Sequence, residues 1–300
     1  MPGVKTDLRD VFKDYAREFG LRRAILRTLR YLRAGLRRLS TSMLARIFRR
    51  SLSPSLGELA KLGFGLKTDV VEILERLLPD TKWRERIPKL VEEHTKIMLE
   101  LESRRSIAEE RYPSEFSIRS QPSFILYCIV RESAPTTILE TGVANGESTV
   151  VLLNALMRNG SGRLYSIDVE PRVGSLVSPE ERRWWTLCIL DRDCIRPRAA
   201  LHRLMASIPM PQLFLHDSDH GYEWQTYELS EFAKLSSSEA IIAVDDADNS
   251  YATIDFCASH NLSPFTHLDG AKALCIMKWP GNSFQARGGQ SRPQAVAGVK

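Results

Sequence analysis

Three hundred residues, 43% hydrophobic and 26% charged, suffice for one full α/β domain with a smaller appended unit and a sizeable buried core. No apolar run reaches membrane-spanning length and no charged start with an apolar core and small-residue cleavage site is present, so the expectation is a protein neither secreted nor integral to a membrane. The formal charge of +5 is uneven: residues 1–50 hold fourteen Lys and Arg against four Asp and Glu, which leaves the rest of the chain net acidic.

From Leu21 to Phe48 apolar residues recur at Ile25, Leu29, Leu32, Leu36, Leu39, Met43 and Ile47, with arginines filling much of the rest. That spacing predicts a basic amphipathic helix, read here as a peripheral anchor on an anionic membrane. Packing on its own domain or on a second copy in a homo-oligomer is the competing reading. Nucleic acid is disfavoured as a partner because Asp7, Asp10, Asp14 and Glu18 interrupt the basic run. Residues 51–120 then read as short helices covering part of the following domain or its cleft. Ser55 and Glu58 form a capping box, Thr68 caps a helix ended by Pro79, and Pro88 fits the first turn of a helix running to about Glu110.

Residues 121–280 follow a strand–helix alternation. A helix over Pro122–Arg131 precedes a β-branched-rich strand, Thr137–Leu139, which ends in Glu140 and turns on Gly142 and Gly146. Ser148 and Thr149 open the next helix, continuing through Val150, Leu153 and Leu156. Ala144 stands where a dinucleotide loop needs its middle glycine, and no third glycine follows. The strand Gly162–Asp168 ends in a carboxylate able to accept both hydroxyls of a ribose. To this point the pattern allows an adenosine-type methyl donor or a nicotinamide cofactor, and the glycine spacing leans to the donor.

Downstream, Ser178 and Glu181 form another capping box before the strand Thr186–Leu190. Strands Leu213–Leu215 and Ile241–Val244 flank the helix Tyr222–Lys234. After the helix Tyr251–Ser259, strands Phe265–Leu268 and Ala273–Lys278 join through Asp269-Gly270, a hairpin signal. The predicted fold is α/β: a Rossmann-like, mostly parallel sheet with an antiparallel C-terminal edge hairpin, preceded by an α-helical N-terminal region. The Gly-, Gln-, Arg- and Ser-rich tail, 281–300, reads as disordered. Cys128, Cys188, Cys194, Cys257 and Cys275, odd in number and mostly set in apolar patterns, read as reduced thiols of a cytoplasmic protein, not as a zinc site.

In such sheets ligands bind at the carboxyl ends of the strands. Glu140, Asp168, Asp191, Asp217, Asp245 and Asp246 each follow a predicted strand, so the expected fold gathers six acids on one edge. Like charges brought together raise one another's pKa unless a cation intervenes, and hard oxygen ligands suit magnesium.

The segments Glu140-Thr-Gly-Val-Ala-Asn-Gly-Glu-Ser148 and Tyr165-Ser-Ile-Asp168 resemble the donor-binding motifs of class I S-adenosylmethionine-dependent methyltransferases, close to the cation-dependent catechol and caffeoyl-CoA O-methyltransferase type. Leu213-Phe-Leu-His-Asp217-Ser-Asp219-His220-Gly-Tyr222-Glu and Ile241-Ile-Ala-Val-Asp245-Asp246 are similar to the metal-site motifs of that type, and more so to related families that modify antibiotic sugars and other secondary metabolites. The resemblance covers roughly Gln121 to Trp279 and leaves the first 110 or so residues unexplained. It implies donor binding by Glu140, Gly142, Val143, Gly146, Ser148, Asp168, Asp191 and Asp217. It also implies Mg2+ or another divalent cation on Asp217, Asp245 and Asp246, which would hold and orient a hydroxyl oxygen in line with the methyl group.

His220 occupies the position where the catechol-type relatives carry a lysine base, and Asp248 competes for that role. Trp184-Trp185 read as core in preference to an adenine platform, and Tyr222 as packing the turn. No Asp-Pro-Pro-Tyr motif for base amino groups and no paired cysteines for base carbons are present, so oxygen is the expected acceptor. A nicotinamide oxidoreductase would need the missing loop glycine and a Tyr-x-x-x-Lys arrangement. A non-catalytic binding protein on the same fold would be expected to have lost the acids or glycines. A metal-dependent hydroxylase would add oxygen to its product in place of a methyl group.

Overall fold

The computed structural model describes residues 53–67, 69–108, 111–113, 118, 120–191, 195–269 and 272–281. The basic segment 1–50, Thr68, Cys194, Gly270 and all but the first residue of the tail lie outside the described residues. Helix α1 (Leu56–Lys61) starts at the expected capping box, with Glu58 N–H donating to Ser55 Oγ and Ser55 N–H to Glu58 Oε2. Strand β1 (Gly65–Lys67) follows, then α2 (Val70–Leu77) and α3 (Trp83–Arg105).

Two details differ from the sequence reading. The cap of α2 is Asp69, whose Oδ1 accepts the Val71 N–H at 2.8 Å. Pro88 lies inside α3, which starts earlier at Trp83. The Trp83 indole, 2% exposed, donates to Leu78 O at 3.1 Å, so burial of that ring sets the start and outweighs the hydrogen bond the proline forfeits.

The alternation then runs α4 (Ser120–Ser133), β2 (Thr137–Thr141), α5 (Glu147–Asn159), β3 (Arg163–Asp168), a 3-10 turn at Glu181–Trp184, β4 (Trp185–Ile189) and α6 (Pro197–Ser207). It ends β5 (Leu213–His216), α7 (Tyr222–Leu235), β6 (Ala240–Val244), α8 (Ala252–His260), β7 (Phe265–Asp269) and β8 (Lys272–Trp279). Helix α6 has no counterpart among the elements expected from the sequence, since its buried stripe is no more than Leu201 and Met205.

The sheet order is β1-β7-β8-β6-β5-β2-β3-β4. Only the β6–β8 and β7–β8 pairs are antiparallel. The antiparallel hairpin is thus present at this edge of the sheet as expected, and the short β1 adds a parallel strand outside β7, Gly65 opposite Phe265. Strand alternation divides the core into two layers. Ile138, Leu164, Leu213, Leu215, Ile241, Ala243, Leu274 and Ile276 pack against α2–α5. Leu139, Phe214, Ile242, Val244, Cys275 and Met277 pack against α6–α8 and Leu59 of α1. Trp185 enters the first layer, its Nε1 donating to Ser166 Oγ, as expected for core. Cys128, Cys257 and Cys275 are buried, Cys188 is half-buried, and all four are free thiols. Among the described residues no helix is long and apolar enough to cross a membrane.

Candidate active site

Strand β2 lies between β3 and β5. The chain moves outward through β3 and β4 and then returns across to β5, so consecutive crossovers diverge at the β2/β5 boundary and open a crevice at the strand ends. Gly142 sits at that boundary with φ +83°, and a Cβ there would stand 2.1 Å from the Asp217 carbonyl oxygen. The glycine is thus required by close approach of two strand ends within the protein. Gly146, the left-handed N-cap of α5, faces the 171–177 loop, where a Cβ would lie 3.0 Å from Gly174 Cα.

Asp168 closes this loop from the neighbouring strand, accepting the Val143 N–H at 2.8 Å and the Glu170 N–H at 2.9 Å. Burial raises its pKa, while these backbone donors oppose the shift. Val143 is buried beneath the turn.

Glu140 and Ser148 differ from their expected placement at a ligand edge. Glu140 is fully buried and accepts from Ser148 Oγ (2.7 Å), Thr149 Oγ1 (2.8 Å) and Ser166 Oγ (2.6 Å). Burial pushes its pKa up to about 7, the three hydroxyls opposing. The pair is a buttress tying β2, β3 and α5 together below the loop. Asp191 lies exposed just beyond β4. Of the six acids, Glu140 is therefore sunk below the edge and Asp191 lies at its outer margin, beyond β4.

Across the crevice, Asp217 follows β5 and Asp245 and Asp246 follow β6. Asp217 is raised well above the usual carboxylate range, first by burial and then by the charges of Asp245 and Asp246. Asp245 is pushed up to about 7 by burial and by Asp246. Asp248, half-buried on the same turn, adds to the negative field at Asp245. His220 Nε2 stands 3.8 Å from Asp217 Oδ1 and 3.9 Å from Asp246 Oδ2. Burial lowers its pKa to about 4 against the pull of Asp246. Asp217, His220, Asp245, Asp246 and Asp248 thus lie together at the ends of β5 and β6.

The expected divalent ion fares less well. Among the described residues no group of three or more His, Cys, Asp or Glu side chains is arranged to hold a metal. Lys272, at the start of β8, instead brings its ammonium to 3.6 Å from Asp246 Oδ1. As arranged, the donor set does not fit the ion that its motifs imply.

Four contributors escaped the sequence reading. Glu228, buried on α7, accepts Thr141 Oγ1 (2.7 Å) and Ser218 Oγ (2.9 Å) and pairs with His216 Nδ1 (2.7 Å), while Trp224 Nε1 donates to its other oxygen. One signal existed: Glu228 falls in the buried stripe Gln225, Leu229, Phe232, where an acid is out of place. Asn145 Oδ1 accepts the N–H groups of Arg111 and Tyr112, and Arg105 pairs with Glu147 at 2.9 Å, so the N-terminal helices clamp the donor loop. Lys272 had no local signal. Tyr222 donates to Asp255 at 2.8 Å, joining α7 to α8 in the packing role expected of it.

Residues 139–247 match the family model described as "Methyltransferase domain", a stretch running from within β2 to the turn after β6. The β2/β5 crevice lies within that matched stretch. A search of curated proteins returned no match. Among solved structures, similarity extends to the SAH-bound methyltransferase PaMTH1 of Podospora anserina, at 13% identity over 60% of this chain and 86% of that one, TM-score 0.45. The O-methyltransferase TomG of Streptomyces achromogenes, involved in tomaymycin synthesis and solved with SAM, is 16% identical over 62% and 89%, TM-score 0.47. An O-methyltransferase of Bacillus cereus in complex with SAH is 13% identical over 69% and 95%, TM-score 0.42.

Proposed function

We propose that this protein transfers a methyl group from S-adenosylmethionine to a hydroxyl of a small-molecule acceptor. The observation that carries this reading is the crevice at the β2/β5 divergence. One wall is the glycine turn latched by Asp168, and the other is the His220 and aspartate cluster. Gly142, Val143, Gly146 and Asp168 would face the donor, with Glu140 and Ser148 holding their frame and Asp191 and Asp217 at its margins. In the transfer the acceptor oxygen forms the new bond to the methyl carbon as the bond to sulfur breaks, and the acceptor loses a proton. Burial keeps His220 neutral, the form that can accept that proton, and Asp246 beside it would favour the imidazolium as it forms. Asp248 is the alternative base.

The remaining assignments belong to the same reading. Residues 51–120 serve as a cover on the 121–280 domain, supported by the Arg105–Glu147 pair and by Ser53 Oγ donating to Asn249 O at 2.8 Å. Residues 1–50 are a peripheral anchor on anionic membrane in a cytoplasmic protein. Flotation with anionic but not neutral liposomes, lost on deleting 1–50, is the expected behaviour. Binding to neither would favour packing on the domain or on a second copy.

Calorimetry with S-adenosylmethionine and with its demethylated product, followed by a mass screen of hydroxylated acceptors, tests the function. A product heavier by one methyl group is expected. Gain of an oxygen would point to a hydroxylase, and no binding of either donor form would overturn the enzyme reading.

A further inference from the structure

Three acids converge at the ends of β5 and β6, and the donor set does not fit a divalent ion. Asp246 among them faces an ammonium. We propose that Lys272, which carries it, is a built-in cation, delivered by the β7–β8 hairpin, that stands in for a metal at the Asp217, Asp245 and Asp246 cluster.

Geometry supports the assignment from three directions. Lys272 Nζ lies 3.6 Å from Asp246 Oδ1, and its side chain is only 21% exposed, so water screens the pair weakly. Backbone pairing fixes the approach: Lys272 is in register with Asp269 across the hairpin, and the next residue, Ala273, accepts the Ala247 N–H at 2.9 Å. The turn that carries Asp245 and Asp246 is thereby stitched to the strand that carries the lysine. Asp246 itself is held at φ +47°, a conformation that side-chain-bearing residues seldom adopt and that persists only where surrounding contacts enforce it. An ammonium so placed repels a second cation entering the cluster. It also leaves the oxygens of Asp217 and Asp245 oriented by charge without being bound by coordination. Lys272 is on this account a positioning residue, acting through the aspartates.

The proposal rests on the crevice being the acceptor site, but its test reads the ion separately from turnover. Full-length wild type, Lys272→Met, Lys272→Gln and Lys272→Arg are titrated with Mn2+ and free ion is followed by electron paramagnetic resonance. Donor affinity, measured by calorimetry, checks the fold of each. Wild type and Lys272→Arg should bind Mn2+ only at millimolar concentration, whereas Lys272→Met and Lys272→Gln should bind it at least about tenfold more tightly. Micromolar Mn2+ binding by wild type, or unchanged affinity in both neutral variants, overturns the proposal. Where an acceptor has been found, wild-type turnover should survive exhaustive chelation, and Mg2+ should partly restore the neutral variants but leave Lys272→Arg unaffected. Wild-type turnover abolished by chelation and restored by Mg2+ would likewise overturn it.

Discussion

The two walls of the crevice are built on opposite electrostatic principles. On the donor wall each polar group described has a protein partner: Glu140 is met by three hydroxyls and Asp168 by backbone N–H groups. On the acceptor wall like charges crowd together, Asp217 and Asp245 are pushed toward protonation, and His220 Nδ1 and His216 Nε2 are buried without a hydrogen-bond partner. Satisfied groups make a rigid frame that costs little to maintain. Crowded and unsatisfied groups are destabilising in isolation and are retained where chemistry uses them. The contrast supports the proposed division, with binding on the first wall and proton handling on the second.

Substitutions can break this contrast at either wall. Gly142→Val should have the largest effect, because its Cβ collides with the Asp217 backbone at the hinge between the walls. A loss on the order of 3 kcal/mol or more is expected, seen as a lowered Tm or insoluble protein. A normally stable variant would mean that the two strand ends are not in contact.

His220→Ala should lower kcat by about 10²- to 10⁴-fold with donor affinity unchanged. An unaffected rate would transfer the base role to Asp248. Asp168→Ala should do the reverse, weakening donor binding on the order of 10²-fold in calorimetry. Because Asp168 also holds the Val143 N–H, a small loss of Tm should accompany it.

A pH titration sharpens the comparison at smaller scale. Asp245 binds its proton more tightly in the folded protein, about 7 against an ordinary 3.8, so its contribution to stability falls as pH rises from near 4 through about 7. Asp245→Asn cannot ionise. The Tm of the variant minus that of wild type should therefore grow across this window and level off above it; a flat difference would show that Asp245 titrates normally. Arg105→Ala should matter least. Its partner Glu147 is buried but the arginine is 32% exposed, and donor affinity should fall by no more than about fivefold.

Much of the framework was legible in the sequence because it is encoded locally. Unbroken apolar runs at Leu213–Leu215 and Ile241–Val244 marked the strands, Ser55 with Glu58 and Ser178 with Glu181 marked the caps, and acids following strands marked the carboxyl edge of the sheet. Boundaries failed where burial overrode local signals, as at Trp83, whose indole starts α3 before Pro88. Strand β1, three residues long, has no period to detect.

By itself the sequence determined the fold class, the glycine turn with Asp168 beside it, and the membership of the acid cluster, since each depends on residues close together or on the fixed geometry of strand ends. Tertiary structure alone decided that Gly142 is required by Asp217, that Glu140 lies beneath the site, that Glu228 gathers four partners and that Lys272 reaches Asp246. Those are contacts between elements far apart in the chain. They depend on sheet order and register, which hydrophobic pattern constrains only loosely, and they leave no trace in the spacing of neighbouring residues.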